Sequence, residues 1–318
     1  FFGLLAIAVC HLCNMRATMA QEDAAQTSVW RWLSIMLGVI GAMVLAVLGR
    51  QPASAVLIAF EGFEDYAADV PLGGLNGGSG WTAAWGSGVR SPDELKTIAG
   101  GLSYITGEVS NPGGNRALQF VYDVGGNAIF LNRPFASQTG TVYMSLLWQT
   151  TTAYGDGDDD FIQYGLNSAA DNPRTSVVHW YGNDGYDFQV RSGTGQGRSA
   201  SVATNPGQTY FLVLRASDTG TDGIYDRVEL WVNPVSQDPG TTSIVHNANS
   251  GISSLQYFVG RHARLNRGDT YRIDNIRIGT SFLDVIPFIP IPEPASGLLA
   301  LLGVLGLCAA RRRRRPNA

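Results

Sequence analysis

The stretch Thr141-Val142-Tyr143-Met144-Ser145-Leu146-Leu147-Trp148-Gln149 decides the fold class. Val142, Met144, Leu146 and Trp148 occupy alternate positions, and Tyr143, Ser145 and Leu147 stand between them. A period of two is the spacing of a β-strand, whose successive side chains point to opposite faces. The first set therefore shares one face of a strand and the second set the other.

The same kind of run recurs on both sides of it. Val56–Phe60, Ala117–Asp123, Ala128–Leu131, Phe161–Leu166, Ser176–Tyr181, Tyr186–Arg191, Thr209–Ala216, Tyr225–Val232, Leu255–Val259 and Tyr271–Ile278 alternate, or are rich in β-branched and aromatic residues. In Tyr225–Val232, Val228, Leu230 and Val232 alternate with Glu229 and Trp231. Turn signals separate the runs: Gly155-Asp156-Gly157, Gly182-Asn183-Asp184-Gly185 and Asp222-Gly223. No long amphipathic helical pattern interrupts them. Many short strands in one body predict an all-β sandwich or jelly roll over residues 56–289.

Two segments at the ends of this body sharpen the expectation. Phe60-Glu61-Gly62-Phe63-Glu64-Asp65-Tyr66 is followed by Leu75-Asn76-Gly77-Gly78-Ser79-Gly80-Trp81 and Trp85. The last strand reads Tyr271-Arg272-Ile273-Asp274-Asn275-Ile276-Arg277-Ile278-Gly279. Together they resemble the concanavalin A-like, laminin G-like jelly rolls. That resemblance implies that the first and last strands pair in one sheet.

The flanks read as address labels. In residues 31–55, Arg31 precedes the uncharged apolar run Leu33 to Gly49, and Pro52 breaks it before Ala53-Ser54-Ala55. Charge, apolar run and small-x-small site are the layout of a secretory signal peptide, with cleavage expected after Ala55 and an uncleaved anchor as the alternative. Residues 1–30 read as a fragment or as an extension of the gene upstream, with Met15 or Met19 as the expected start; a first membrane segment is the alternative, for which the thirteen residues Phe1 to Cys13 are too few to span. In residues 290–318, Pro292, Glu293 and Pro294 precede an apolar run from Gly297 to Ala310. Arg311, Arg312, Arg313, Arg314 and Arg315 follow. The prolines keep the first part out of helix. The apolar run is short for a bilayer crossing, and the arginines favour the cytoplasmic side.

This tail resembles the PEP-CTERM sorting signal. The resemblance implies a Gram-negative bacterium that makes exopolysaccharide. It also implies Sec-type export, transient inner-membrane association, processing by an exosortase, and a mature protein at the cell surface or in the extracellular matrix.

Composition limits the partners. Net charge is −4 over 318 residues, and charged residues make up 15 %. Lys96 is the only lysine, and no basic patch stands outside the tail, so nucleic acid is not an expected partner. The three cysteines are Cys10, Cys13 and Cys308, all outside the body, so no disulfide framework supports it.

Within the body, Asp156, Asp158, Asp159 and Asp160 form an acidic, Gly-rich turn. Calcium takes six to eight oxygens, so Asp156, Asp158 and Asp160 are candidate metal ligands, beside the favoured reading of a solvated acidic turn. Asp218, Asp222 and Asp226 are a second set. Trp180, Tyr181 and Tyr186 flank the polar tip Gly182–Gly185 and are the expected sugar-stacking residues. The glucanase strand Glu-x-Asp-x-x-Glu is absent. His179, His246 and His262 stand without a nucleophile-elbow motif, and His179 reads as structural. The reading of the sequence is a non-enzymatic surface or matrix protein that binds polysaccharide. A divergent glycan hydrolase and a ligand-free structural protein are its alternatives.

Overall fold

Two stacked β-sheets hold the body, with strands numbered β1 to β18 in chain order. The structure, a computed structural model, describes residues 57–87, 94–122, 129–151, 161–181, 187–193, 202–263 and 268–287. The large sheet runs β16 (Ile244–Asn247), β15 (Arg227–Val232), β14 (Thr209–Ser217), β8 (Val142–Thr150), β18 (Thr270–Gly279), β6 (Arg116–Val121), β3 (Leu95–Ala99). The second sheet runs β12 (Arg191–Ser192), β10 (Thr175–Tyr181), β9 (Phe161–Asn167), β17 (Leu255–Ala263), β7 (Ile129–Gln138), β2 (Gly86–Ser87). Two short ribbons, β4 (Tyr104–Thr106) with β5 (Val109–Asn111) and β11 (Asp187–Phe188) with β13 (Val202–Ala203), complete the strands. The first strand, β1 (Leu57–Glu61), pairs antiparallel with β18, the last, as the jelly-roll resemblance implies.

The alternation that decides the fold class is realised in β8. Val142, Met144, Leu146 and Trp148 are fully buried in the main core. There they join Leu212, Leu214, Val228 and Leu230 of the large sheet and Ile162, Tyr164, Leu166 and Phe258 of the other. The opposite face of the large sheet is also covered. Leu147, Phe211, Val213 and Trp231 pack under Leu102 and Val109, and under Phe282 and Val285 of the short helix α1 (Phe282–Val285). Ser281 and Asp284 cap that helix reciprocally, which stops it fraying off the sheet. The large sheet is thus buried on both faces. The outer face of the six-stranded sheet carries half-buried Phe130, Asn132 and Arg261 beside buried Gln163 and Val259.

Several strands differ from the sequence reading. The run Tyr186–Arg191 breaks into β11 and β12, with Gln189 and Val190 between them. β17 continues past Val259 through Gly260 to Ala263. Gly260 does not break it, because a Cβ there would stand 2.8 Å from the Tyr164 ring and 2.9 Å from Leu131. The glycine makes room for core side chains instead of turning the chain. Strands β2, β3 and β16 were not expected. They are short, and all three are edge strands whose runs carry too few residues for a periodic signal.

One polar cluster ties the two sheets together. Glu61 ends β1, and Arg133 lies in β7 of the opposite sheet; both are 0 % exposed. Their charges pair directly. Glu61 Oε1 accepts the Phe63 amide at 2.7 Å. Glu61 Oε2 also accepts the Tyr66 hydroxyl at 2.8 Å and the Trp85 indole N–H at 3.3 Å. Arg133 donates onward to the Gly77 carbonyl at 2.6 Å, the Asn76 side chain at 3.3 Å and the Ala83 carbonyl at 3.3 Å. Its guanidinium also sits 4.8 Å from the Trp81 ring centre. Burial and the neighbouring Glu61 carboxylate push the Tyr66 hydroxyl up to about 12. The Glu61-to-Tyr66 segment is therefore structural. It is the buried anchor of the first strand.

Removing one partner of a fully buried ion pair leaves the other charge unpaired and typically costs about 3–5 kcal/mol. Glu61→Leu is expected to lower stability by that amount in urea unfolding. The double variant Glu61→Leu/Arg133→Met is expected to recover much of it. A single variant within about 1 kcal/mol of the parent would contradict the assignment, given the usual effect of an isolated buried charge.

Candidate functional site

Most of the residues singled out in the sequence lie outside the described residues: Asp156, Asp158, Asp160, Tyr186, Ala53, Ala55, Pro292, Glu293, Pro294 and Arg311 to Arg315. Trp180 and Tyr181 end β10, at the register of Ile162 and Phe161 of β9. Asp218, Asp222 and Asp226 are turn-builders. Asp218 accepts the Gly220 and Gly223 amides at 2.7 and 2.9 Å, Asp222 accepts Ile224 at 3.1 Å, and Asp226 accepts Thr219 at 2.8 Å. These carboxylates serve backbone donors in a loop, as Asp side chains commonly do. Among the described residues no group of three or more His, Cys, Asp or Glu side chains is placed to hold a metal.

Two buried titratable groups look catalytic by their shifts and are structural by their surroundings. His262 is enclosed by Phe120, Tyr164 and Tyr271 in the core, with Nδ1 against the Tyr271 hydroxyl. Burial pushes it down to about 3. Asp274 lies at the irregularity of β18 where its register against β8 shifts. It accepts the Leu102 amide at 2.9 Å and the Asn275 amide at 2.7 Å. Burial, with smaller contributions from Glu64 and Glu61, pushes it up to about 8. Both are sealed from solvent.

The outer face of the six-stranded sheet carries a different set. Gln163 of β9 is opposite His179 of β10 on one side and Arg261 of β17 on the other. Arg261 in turn is opposite Phe130 of β7. Residues paired across a ladder share a face, so Gln163, Arg261 and Phe130 form one row, with His179 at the same register of β10. Ile162, Tyr164 and His262, the chain neighbours of Gln163 and Arg261, belong to the core side, so Gln163 and Arg261 point away from it. The Arg261 guanidinium lies 5.6 Å from the Phe130 ring centre. The adjacent row is Arg191, Ser176, Gly165, Val259, Asn132 and Gly86, with two glycines and its one long side chain, Arg191, at the β12 edge.

A cleft of about 420 Å³ opens on this face. It is lined by Gly86 and Ser87 of β2, Phe130 and Asn132 of β7, and Ala170, Asp171 and Asn172 of the loop between β9 and β10. Asn167 at the end of β9 organises that loop. Its amide nitrogen donates to Asp171 Oδ1 and to the Asn172 carbonyl at 2.6 Å, and its oxygen accepts the Ser168 amide at 2.7 Å. From β17, Gln256 holds the Ser168 carbonyl at 2.6 Å. On the opposite wall Gly86 has no side chain because Asn132 lies on it: a Cβ would be 2.7 Å from Asn132 Oδ1. An aromatic edge, three amide or hydroxyl side chains and a carboxylate converge on one concavity. That mixture suits a polyhydroxylated ligand.

The sequence reading did not find Gln163, Arg261, Phe130, Asn132 or Asn172. They come from β9, β17, β7 and the loop after β9, and the ladder register and that loop bring them together.

No family model matches the chain, and no curated protein matches it. Solved structures with a similar arrangement exist at low identity. An alginate lyase, Aly36B, in complex with alginate trisaccharide is 11 % identical, with 71 % of this chain and 100 % of that chain covered and a TM-score of 0.43. An endo-β-1,4-glucuronan lyase from the fungus Trichoderma reesei is 14 % identical over 64 % of this chain and 97 % of its own, at 0.36. A carbohydrate-binding module from Bacillus subtilis is 14 % identical over 58 % and 95 %, at 0.32. The expectation of a non-enzymatic body is corrected here, because two of these three proteins are lyases. A missing Glu-x-Asp-x-x-Glu strand speaks against one hydrolytic arrangement and says nothing of other cleavage chemistries.

The buried pair of titratable groups sets the pH response of folding. The unfolded chain protonates His262 near its ordinary 6.5, whereas the folded chain resists until about 3. Its stabilising contribution is present above about 6.5 and is lost as pH falls toward 3. Asp274 acts in the opposite sense: its contribution is present below about 3.8 and is lost as pH rises through about 8. In urea unfolding across this range, His262→Phe is expected to flatten the acid limb and Asp274→Asn the alkaline limb. Unchanged limbs in both variants would contradict these placements.

Proposed function

We propose that the body recognises polysaccharide on the outer face of its six-stranded sheet. The observation that carries this reading is the cleft between β2, β7 and the loop after β9, with Phe130 beside Asn132, Asp171 and Asn172. Sugar rings present apolar CH faces to aromatic side chains and hydroxyls to amides and carboxylates. The sequence adds the setting. The segment ending in Ala53-Ser54-Ala55 supports export, and Pro292-Glu293-Pro294 with the terminal arginines supports sorting by an exosortase. The proposed partner is an exopolysaccharide at the cell surface or in the matrix.

A second reading is action on the bound glycan. The specific observation that favours it is the row His179, Gln163, Arg261, Phe130. An imidazole is the side chain whose ordinary pKa best suits proton transfer near neutral pH. A guanidinium and an amide are suited to hold a carboxylate or a developing negative charge beside it.

Titration of the full chain with soluble oligosaccharides tests the first reading. Phe130→Ala and Asn132→Ala are each expected to weaken binding roughly tenfold, or about 1.4 kcal/mol. Thr106→Ala, on the hairpin outside the other sheet, is expected to leave it unchanged. Equal affinity in all four proteins would exclude this face. Chain-length loss of a polysaccharide, abolished by His179→Ala with binding retained, would establish the second reading. In a Gram-negative host, intact mass is expected to show a species from Val56 to near Pro292–Pro294. A species keeping both ends would overturn the sorting proposal.

A further inference from the structure

The layer that covers the large sheet presents apolar side chains to solvent. Ile105 of the β4–β5 hairpin is 62 % exposed, Val235 is 52 % and Leu283 of α1 is 37 %. Val235 lies against the tip of that hairpin: its carbonyl accepts the Glu108 amide at 2.9 Å, and a Cβ on Gly107 would stand 3.3 Å from its own Cβ. Leu283 follows Phe282, whose ring packs 5.2 Å from Trp231. Arg215 and Arg227 continue this face. Their chain neighbours Leu214, Ala216 and Val228 belong to the core, so both arginines point outward. The Arg215 guanidinium lies 5.9 Å from the Trp231 ring centre. Both side chains are partly exposed, and the two share the one carboxylate of Glu229, so the pair keeps a positive excess.

The last described residue, Pro287, is on the same side. Its carbonyl accepts the Ser110 amide of β5 at 2.9 Å, next to Val109, which packs on the outer face of the sheet. Only residues 288–296 separate Pro287 from the apolar run that begins at Gly297. Fully extended they reach at most about 32 Å. That is shorter than the way round a body of this size, whose radius of gyration is about 17 Å. From this placement we propose that the α1 and hairpin side of the large sheet rests on an anionic phospholipid surface while the tail holds the chain in the membrane. Ile105, Val235 and Leu283 enter the interfacial layer, and Arg215 and Arg227 meet lipid phosphates. The six-stranded sheet, on the other side of the sandwich, is turned away from the bilayer, with its cleft open to glycan. This inference rests on the tail reading of residues 290–318 and adds an orientation to it.

The test uses the signal-cleaved chain, Val56 to Ala318, with Cys308→Ser and one new cysteine carrying a polarity-sensitive fluorophore. Ile105→Cys reports the proposed contact, and Ala169→Cys, at an exposed position after β9, reports the opposite side. Vesicles of phosphatidylethanolamine and phosphatidylglycerol carry lipids spin-labelled near the headgroup as quenchers. The chain is expected to float with the vesicles, with quenching at 105 roughly threefold that at 169. Replacing phosphatidylglycerol by phosphatidylcholine is expected to remove about half of the quenching at 105. Equal quenching in the two lipids would overturn the part assigned to Arg215 and Arg227. If the chain floats but 105 is quenched no more than 169, the orientation falls and the tail reading stands. If the chain stays in solution, both fall. A blue shift of the 105 label in detergent without vesicles, growing with protein concentration, would put a second copy of the chain on this side and overturn the lipid assignment.

Discussion

The Glu61–Arg133 ion pair is the constraint on which the rest of the body depends. It joins β1 of the large sheet to β7 of the six-stranded sheet through the middle of the sandwich. A buried pair of this kind is tolerated only if its remaining donors and acceptors are satisfied, and here they are. Tyr66, Trp85 and the Phe63 amide complete Glu61, while Gly77, Asn76 and Ala83 complete Arg133. The loop between β1 and β2 is thereby fixed to β7 at several points. Gly80 shows how close the fit is: a Cβ there would stand 1.9 Å from the Ile58 carbonyl.

That constraint reaches the outer surface through strand geometry. Arg133 points inward from β7, so Asn132 beside it points outward, and Phe130 shares the outward side. The same guanidinium holds Ala83, three residues before Gly86, and so sets the approach of β2 to β7. Two walls of the cleft are therefore positioned by one buried charge pair. The third wall depends on Asn167, whose two amide atoms close the loop that presents Asp171 and Asn172. The large sheet has no such surface on its outer side, where α1 and the β4–β5 hairpin cover it. The outer side of the large sheet thus serves packing, and the proposed ligand surface is the other face of the sandwich.

The architecture was largely legible in the sequence. Val142, Met144, Leu146 and Trp148 carry a period-two signal strong enough to assign both strand and face. Glu61 and Asp274 sit in the terminal motifs that mark the first and last strands, and those strands do pair. The site was not legible, for a physical reason. Sequence reading favours residues close in the chain, such as the Asp156–Asp160 cluster or the aromatics around Gly182–Gly185. The outer face instead draws His179, Gln163, Arg261 and Phe130 from four strands through register, which no single strand encodes. Asp218, Asp222 and Asp226 have a metal-like spacing but are occupied by backbone donors of their own loop.

The proposed place of glycan binding is the outer face of the six-stranded sheet. Hydrogen exchange of the full chain, with and without a saturating oligosaccharide that it binds, tests this most directly. Added protection is expected in β2, in β7 and in residues 168–174, with β14, β15 and the β4–β5 hairpin unchanged. Protection confined to the hairpin and α1 side, with 168–174 unaltered, would contradict the account.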